Sequence, residues 1–257
     1  MATAAAARKT RASLRGERIF FLSMMAALIL LDVWGFAHSF YFRSILTPPS
    51  TYLDRPDWMR WAFMIHGTLF TCWIALFATQ TMLVGSKQLP LHKKIGKATY
   101  PLFFAILAYG LFIGWVGAKH GFHDVPFDSV TFSALPWLVI LAFGALAWAG
   151  LNERRDPQRH KRLMLLATLA LSDAGIARVS VFHSILPPWL DFTPFMIIPL
   201  VVWDLATLRK VHRATVWGGL LVAGALLLSI PIGASKPWHA IVEPLIGGPG
   251  VPPGQFV

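Results

Sequence analysis

Long apolar stretches are the feature of this sequence that most restricts how the chain can fold. Seven segments each carry about 20 predominantly apolar residues, the length with which an α-helix crosses the hydrocarbon core of a bilayer. They are too long for strands and lack the alternation of a membrane β-barrel. The sequence therefore predicts an all-α, polytopic membrane helical bundle. The predicted spans are residues 19–39, 61–84, 95–116, 130–151, 163–181, 192–208 and 215–232.

The first apolar stretch has one feature of a signal peptide, because five basic residues precede it. No small-x-small cleavage motif follows it promptly, and Asp32 soon interrupts the apolar run. We therefore interpret it as a retained first helix. The predicted organisation is a basic N-terminal tail at 1–18, a seven-helix domain at 19–239 and a Gly/Pro-rich external tail at 240–257.

The distribution of positive charge sets the predicted orientation. The formal net charge of +11 would indicate nucleic-acid binding in a soluble protein, but 56% of the residues are hydrophobic and only 14% are charged. Seventeen of the 23 Lys and Arg residues lie in the N-terminal tail or in the loops joining predicted spans 2–3, 4–5 and 6–7. By the positive-inside rule these segments face the cytoplasm. The sequence thus predicts an N-in, C-out protein of a bacterial inner membrane, with no nucleic-acid partner.

Two short motifs share a histidine, two basic residues and an aliphatic residue, each at the cytoplasmic start of a span. They are His92-Lys93-Lys94-Ile95 and His160-Lys161-Arg162-Leu163. Two imidazoles on facing helices can hold a b-type haem, with basic side chains on its propionates. Lys93, Lys94, Lys161 and Arg162 are the candidates for that contact. The motifs therefore predict haem ligands at His92 and His160, with His66 of the second span as a further candidate. The alternative is that both motifs are interfacial anchors that bind lipid phosphates.

Ionisable side chains inside the spans are costly and mark candidate functional sites. Asp32, Asp173 and Arg178 fall in the outer half of predicted spans 1 and 5. Gln80 shares one face of the second span with His66 and with the stripe of Phe70, Trp73, Phe77 and Val84, which could line a haem or quinone cleft. These polar residues could form the path of a proton or small solute. They could equally form a paired, buried network that only holds helices together.

The outer histidines form a second group of candidate ligands. Imidazole is the commonest neutral ligand for zinc, copper and iron. His38, His120, His123 and His183 fall at or near the predicted outer surface, so they are candidate transition-metal ligands if their helices converge. The alternative is that they belong to the interfacial belt of an ordinary membrane protein.

Several chemistries have no motif in this sequence. We find no phosphate-binding loop of the GxxxxGK[ST] type, no HExxH zinc motif and no GxSxG nucleophile motif. The single cysteine, Cys72, excludes an internal disulfide framework and a thiolate-held iron–sulfur cluster. Nucleotide-driven and hydrolytic reactions are therefore disfavoured.

The motifs resemble known families over about residues 60–180. Segment 91–96, which follows a helix that begins near His66, resembles poorly characterised bacterial multi-pass membrane families, as does segment 159–165. The second segment is also similar to membrane factors that assist haem–copper oxidase assembly. More distantly, His66 and the His92 motif resemble transmembrane b-type cytochromes, which implies four haem-ligating histidines on central helices. The fourth predicted span has no histidine, so this resemblance leaves one haem site.

Three functional interpretations are open at the level of sequence. The first is a membrane protein that binds haem b or a transition metal and serves electron transfer or respiratory oxidase assembly, with respiratory-chain or other membrane subunits as partners. The second is a transporter for a small solute, an ion or protons. The third is a structural membrane subunit whose polar residues only hold helices together.

Overall fold

The parts of the chain that the structure describes are mostly helical. The computed structural model describes residues 2–48, 53–122, 125–179 and 192–255, and within these ranges it contains no β-strand. The predicted all-α class is therefore confirmed. The α-helices of these ranges are α1 (Ala2–Gly35), α2 (Asp57–Gly85), α3 (Leu89–Ile95), α4 (Thr99–His120), α5 (Ser129–Asn152), α6 (Pro157–Leu171), α7 (Asp173–Ile176), α8 (Ile198–Leu208), α9 (Arg213–Leu227), α10 (Ser229–Gly233) and α11 (Lys236–Ile246). A π-helical turn covers Ala37–Tyr41, and 3-10 turns cover Gly96–Ala98 and Thr193–Ile197.

Four helical segments of the described chain are long and apolar enough to cross a membrane. They are Leu14–Gly35, Asp57–Gly85, Leu89–His120 and Ser129–Asn152. Two further apolar segments, Thr193–Leu208 and Arg213–Leu227, are shorter. These helices indicate a membrane protein, with fewer full-length spans than the seven expected from the sequence.

The fifth predicted span is the region where sequence and structure differ most. Of the apolar run 163–181, residues 163–171 belong to α6, which begins before the run, and residues 173–176 form α7, which follows a break at Ser172. Asp156 caps the start of α6, because its carboxylate accepts hydrogen bonds from the backbone N–H groups of Gln158 (2.9 Å) and Arg159 (3.2 Å). The helix therefore begins in a charged segment. A prediction from apolar residues alone places its start too late, at residue 163.

Helix α5 is the centre of the bundle. It packs against α4, α6, α9 and the short α10. Its side chains Phe143, Leu146 and Ala147 are buried in the main apolar core. Beside them, the buried indole N–H of Trp73 in α2 donates to the hydroxyl of Thr168 in α6, at 3.2 Å. Because a buried indole N–H is costly without an acceptor, this bond fixes α2 against α6 in the middle of the bundle.

The C-terminal segment is more ordered than its composition indicates. The predicted tail at 240–257 begins inside α11, whose start is capped by Ser235. Helix α11 buries Val242 against α4 and α5. Beyond α11, Val251 and Ser129 exchange two hydrogen bonds of 2.9 Å at the start of α5. Packing on α5 thus orders a segment whose Gly and Pro content alone predicts a loop.

Candidate functional site

A large cavity lies at the end of the bundle that carries the basic motifs. Its volume is about 1210 Å³, which exceeds the roughly 300–1,000 Å³ of ordinary small-molecule sites. Helices α1, α2, α3, α4 and α6 and the segment around the α5–α6 turn form its wall. Its lining divides into an apolar and aromatic part and a basic part. The apolar part consists mainly of Phe21, Leu22, Trp73, Leu76, Phe77, Leu151 and Met164.

His92 of α3 and His160 of α6 are neighbours in the wall of this cavity. Their ring centroids are 6.4 Å apart and their planes are nearly perpendicular, at 86°. The two histidine motifs therefore meet in space, although they come from different halves of the chain. We call these two residues the histidine pair.

The C-terminal end of α5 holds the ring of His160. His160 Nδ1 lies 2.7 Å from the carbonyl oxygen of Gly150. This carbonyl belongs to the last turn of α5, where helix geometry leaves carbonyls without an intrahelical donor. Since a carbonyl only accepts, the proton of neutral His160 is on Nδ1, and Nε2 carries a lone pair. Metal-bound histidines use this same tautomer, with the second nitrogen donating to a backbone carbonyl.

Gln80 of α2 holds the turn that carries His92. Its side-chain nitrogen faces the His92 carbonyl oxygen and its side-chain oxygen accepts from the Gly96 N–H, both at 3.0 Å. This orientation of the amide is assigned because it alone satisfies both backbone groups. The contact is made where α3 tightens into a 3-10 turn at Gly96. One glutamine therefore ties α3 to α2 at the wall of the cavity.

Seven cationic side chains line the cavity, against the one carboxylate of Glu17 among the described lining residues. Glu17 forms an ion pair with Lys161 and accepts a hydrogen bond of 3.1 Å from Gln158. Arg154 donates to the hydroxyl of Tyr100 at 2.6 Å. The remaining excess of positive charge favours a ligand that carries anionic groups. The seven cations are Arg18, Lys87, Lys93, Lys97, Arg154, Arg155 and Lys161.

Arg162 follows Lys161 in the second motif but belongs to a different site. Its side chain is 1% exposed and donates through Nε (3.0 Å) and Nη2 (2.5 Å) to Oδ1 of the fully buried Asp204. Its Nη1 donates to the backbone and side-chain oxygens of Gln158, at 3.0 and 2.6 Å. Asp204 also accepts from the Thr215 hydroxyl at 2.5 Å. The expectation that Arg162 contacts a haem propionate is therefore wrong, because this buried ion pair occupies it.

Asp32 is one of the polar residues expected in the outer half of the bundle, and its side chain is 5% exposed. Its carboxylate accepts a hydrogen bond of 2.8 Å from the Ser172 hydroxyl. Nearby, α1 and α7 approach so closely that a side chain on Gly35 would collide with the backbone of Gly175. Small residues allow such close crossings between membrane helices. This contact therefore joins α1 to the segment after α6.

The charge of Asp173 acts on Arg178, and the expected ion pair between them stays a prediction. His66 also lies near Arg178, and its Nδ1 is buried with no hydrogen-bond partner among the described residues. Gln80 is fourteen residues from His66 on α2, which is about 21 Å along the axis. His66 is thus far from the histidine pair. Of the four residues expected in one polar network, Gln80 lies at the cavity, whereas Asp32, Asp173 and Arg178 lie at the other end of the bundle.

The described residues do not bring the outer histidines into a metal site. His38 Nδ1 lies 3.4 Å from the Thr47 carbonyl oxygen, and the His120 ring packs beside an indole. His123 and His183 lie outside the described residues. In the described ranges, no group of three or more His, Cys, Asp or Glu side chains is close enough to hold a metal ion. A metal site at the outer surface stays a prediction.

Some of the residues that line the cavity were singled out by the sequence pattern, and others were not. Trp73, Phe77 and Gln80 are members of the stripe on α2, and all three line the cavity. Tyr100 and Glu17 were missed. Glu17 is the one acidic residue in the basic segment 1–18, and an isolated acid among cations could have indicated an internal ion pair.

The chain matches no protein-family model, no curated protein and no solved structure. The site is therefore interpreted from its chemistry. It combines two adjacent imidazoles, an aromatic wall and an excess of cations within one cavity. These features suit a flat, largely apolar ligand that has anionic groups at one side.

Proposed function

We propose that this protein is a multi-pass membrane protein that binds a b-type haem between His92 and His160 and passes single electrons near the cytoplasmic face. The separation of the two rings carries the proposal. Two imidazoles that bind a first-row metal from opposite sides at about 2.0 Å would have ring centres roughly 6.3 Å apart, and the rings of the histidine pair are 6.4 Å apart. When bound, a b-type haem supplies reversible one-electron transfer.

The surrounding residues support this ligand. His160 already has the tautomer that metal ligation requires, because its Nδ1 is bonded to the Gly150 carbonyl. The side chains of Trp73 and Phe77 belong to the apolar wall of the cavity, where they would exclude water from the haem ring. The cations that line the cavity, with Lys93 the nearest in sequence to His92, would pair with two propionates.

We further propose seven spans with N-in, C-out topology in a bacterial inner membrane. All seven cations of the cavity come from segments that the positive-inside rule assigns to the cytoplasm. The cavity would then open towards the cytoplasm, within reach of a redox partner there. A respiratory-chain subunit or an oxidase under assembly is the partner class that fits one-electron chemistry in this membrane.

A second candidate function is the movement of protons or a small solute. Its candidate residues are Asp32, His66, Asp173 and Arg178, at the end of the bundle away from the histidine pair. The supporting observation is the buried Nδ1 of His66, which has no hydrogen-bond partner in the described ranges and lies near Arg178. Uptake into vesicles separates the two functions. Transport predicts that Asp173→Asn abolishes uptake while His92→Ala leaves it intact.

Haem content after expression with excess haem tests the first proposal. We expect about one haem per wild-type chain and near-complete loss in His92→Ala and in His160→Ala, because each removes one of the two residues that would hold the group. His66→Ala is the matched control, since it removes a histidine from the same bundle but far from the cavity. Retention of haem in both pair variants, or equal loss in His66→Ala, would reject the histidine pair as the ligands.

A further inference from the structure

We infer that Gln80 decides which nitrogen of His92 carries the proton, and thereby opposes ligation by His92 until its side-chain amide turns over. The inference rests on the proposed haem site. It concerns a residue that acts on the ligand His92 and would not itself touch the metal. Gln80 is thus a positioning residue.

The geometry of the Gln80 amide is the first step. Its nitrogen lies 3.0 Å from the His92 carbonyl oxygen and 2.5 Å from His92 Nδ1, while its oxygen lies 3.0 Å from the Gly96 nitrogen. An amide nitrogen has two hydrogens, so it donates to both groups of His92. A ring nitrogen that accepts a hydrogen bond carries a lone pair. The proton of neutral His92 is therefore on Nε2.

The two members of the histidine pair thus have opposite tautomers. His160 has its proton on Nδ1, bonded to the Gly150 carbonyl, and a lone pair on Nε2. His92 has its lone pair on Nδ1 and its proton on Nε2. A metal bound between the two Nε2 atoms needs a lone pair on both. His160 is ready for ligation in this state, and His92 is not.

Ligation therefore requires a rearrangement at Gln80. If the amide turns over, its oxygen accepts from a protonated Nδ1 of His92. The same turn sets this oxygen against the His92 carbonyl and the amide nitrogen against the Gly96 N–H. The other acceptor near Nδ1 is the backbone carbonyl oxygen of Gln80, at the longer distance of 3.4 Å. Haem binding is thus opposed by the hydrogen bonds that hold the turn before haem arrives.

Replacement of Gln80 by an acceptor should remove this opposition. A carboxylate in Gln80→Glu accepts from both the Gly96 N–H and His92 Nδ1–H, so it favours the tautomer that ligates. One of its oxygens then lies against the His92 carbonyl, as in the turned amide, but the carboxylate keeps the Gly96 bond that the turned amide loses. Changes of this kind beside a metal ligand alter affinity by about 10–100-fold. We expect Gln80→Glu to bind ferric haem at least tenfold more tightly than the wild type. If the affinity for ferrous haem is unchanged, a tenfold gain in the affinity for ferric haem lowers the midpoint potential of the bound haem by about 59 mV.

The tautomer itself is measured without haem, by nitrogen NMR of the cofactor-free protein labelled with ¹⁵N-histidine. The His92 signals are identified by their loss in His92→Ala. The wild type should show His92 protonated on Nε2 and His160 protonated on Nδ1. In Gln80→Leu, His92 should change to Nδ1–H while His160 stays the same. An Nδ1 proton on wild-type His92 would overturn the inference.

Haem titration is the second arm, with Gln88→Glu as the matched control. Gln88 is exposed and lies just before α3, so the control adds the same charge near the cavity without contacting the ring. Tighter binding by Gln80→Glu than by Gln88→Glu supports the inference, and equal binding overturns the coupling to haem. If no variant binds haem, the proposed function fails, while the NMR result still decides what Gln80 does to His92.

Discussion

His160 and Arg162 stand two residues apart on α6 and show two uses of polar chemistry in one bundle. Arg162 donates through all three of its guanidinium nitrogens, and Asp204 accepts from Arg162, from the Thr215 hydroxyl and from the His212 N–H. His160 uses one ring nitrogen for the Gly150 carbonyl, and its ring borders a cavity. A saturated cluster joins helices, whereas an unused nitrogen beside a cavity is available to a ligand.

The contrast also shows why one basic motif serves two sites. Successive residues of an α-helix are rotated by about 100°, so positions 160 and 162 point to nearly opposite sides of α6. The side of His160 meets α3 and the cavity, and the side of Arg162 meets α8 and α9. We expect substitutions on the first side to change binding and substitutions on the second to change stability.

The largest expected effect is on stability, from Arg162→Met. This change leaves the Asp204 carboxylate buried without its cation, and breaking one half of a buried pair costs about 3–5 kcal/mol. The free energy of unfolding in detergent measures it. Arg159→Met is the control, because Arg159 pairs with Glu153 at a half-exposed site, where a pair contributes at most about 1 kcal/mol.

The double variant Arg162→Met, Asp204→Leu sharpens the same test. Replacing a whole buried pair with apolar side chains is often nearly neutral. We expect the double variant to regain most of the stability lost in Arg162→Met. Equal losses in the single and double variants would mean that the ion pair is not what destabilises the single one.

Thr168→Val should have the next largest effect. It removes the acceptor of the buried Trp73 indole N–H, and an unsatisfied buried donor costs about 1–3 kcal/mol. Thr79→Val is the matched control, since the bond that the Thr79 hydroxyl makes among the described residues goes to the Ala75 carbonyl of its own helix. Similar unfolding free energies for both variants would show that the Trp73 bond does not fix α2 to α6.

His160→Gln should have a smaller effect on stability and a large one on binding. It removes one hydrogen bond, to the Gly150 carbonyl, a loss of about 0.5–1.5 kcal/mol. Haem binding should be lost in the same variant. If His160→Gln destabilises as much as Arg162→Met does, the histidine pair is a structural cluster and the comparison between the two sites fails.

The last prediction concerns the cap that Asp128 forms at the start of α5. The contribution of this cap to the free energy of unfolding depends on pH. Partial burial acts to raise the pKa of Asp128, but hydrogen bonds from the Thr131 hydroxyl (2.6 Å) and backbone N–H (2.9 Å) outweigh it and hold the pKa below its ordinary value. The folded state therefore favours the carboxylate. This stability is present above the unfolded pKa of about 3.9 and is lost as pH falls through the lower folded value.

Asp128→Ala should accordingly cost about 1 kcal/mol at neutral pH and progressively less in acid. Asp128→Asn retains a capping side chain without a titrating group, so its unfolding free energy should lack this pH dependence. The comparison is made by unfolding at pH 7 and at the lowest pH that the protein tolerates. A constant difference between Asp128→Ala and wild type would contradict the assigned cap.

The helical class and the histidine pair could be predicted from sequence because both depend on local signals. Apolar stretches predict helices in a bilayer, and the matching motifs predicted that His92 and His160 lie at the same end of the bundle. The role of Gln80 could not be predicted, because it depends on how α2 meets the turn at Gly96. The same holds for Arg162, whose partner Asp204 is distant in sequence and becomes a neighbour only when α6 and α8 pack.

Electron paramagnetic resonance of the purified, haem-loaded ferric protein tests the central claim most directly. Ligation by both His92 and His160 predicts a six-coordinate, low-spin haem. The rings are 86° apart, so the low-spin signal should have the strong anisotropy of perpendicular axial imidazoles. A high-spin signal, or no haem iron in a protein purified with excess haem, would contradict the account.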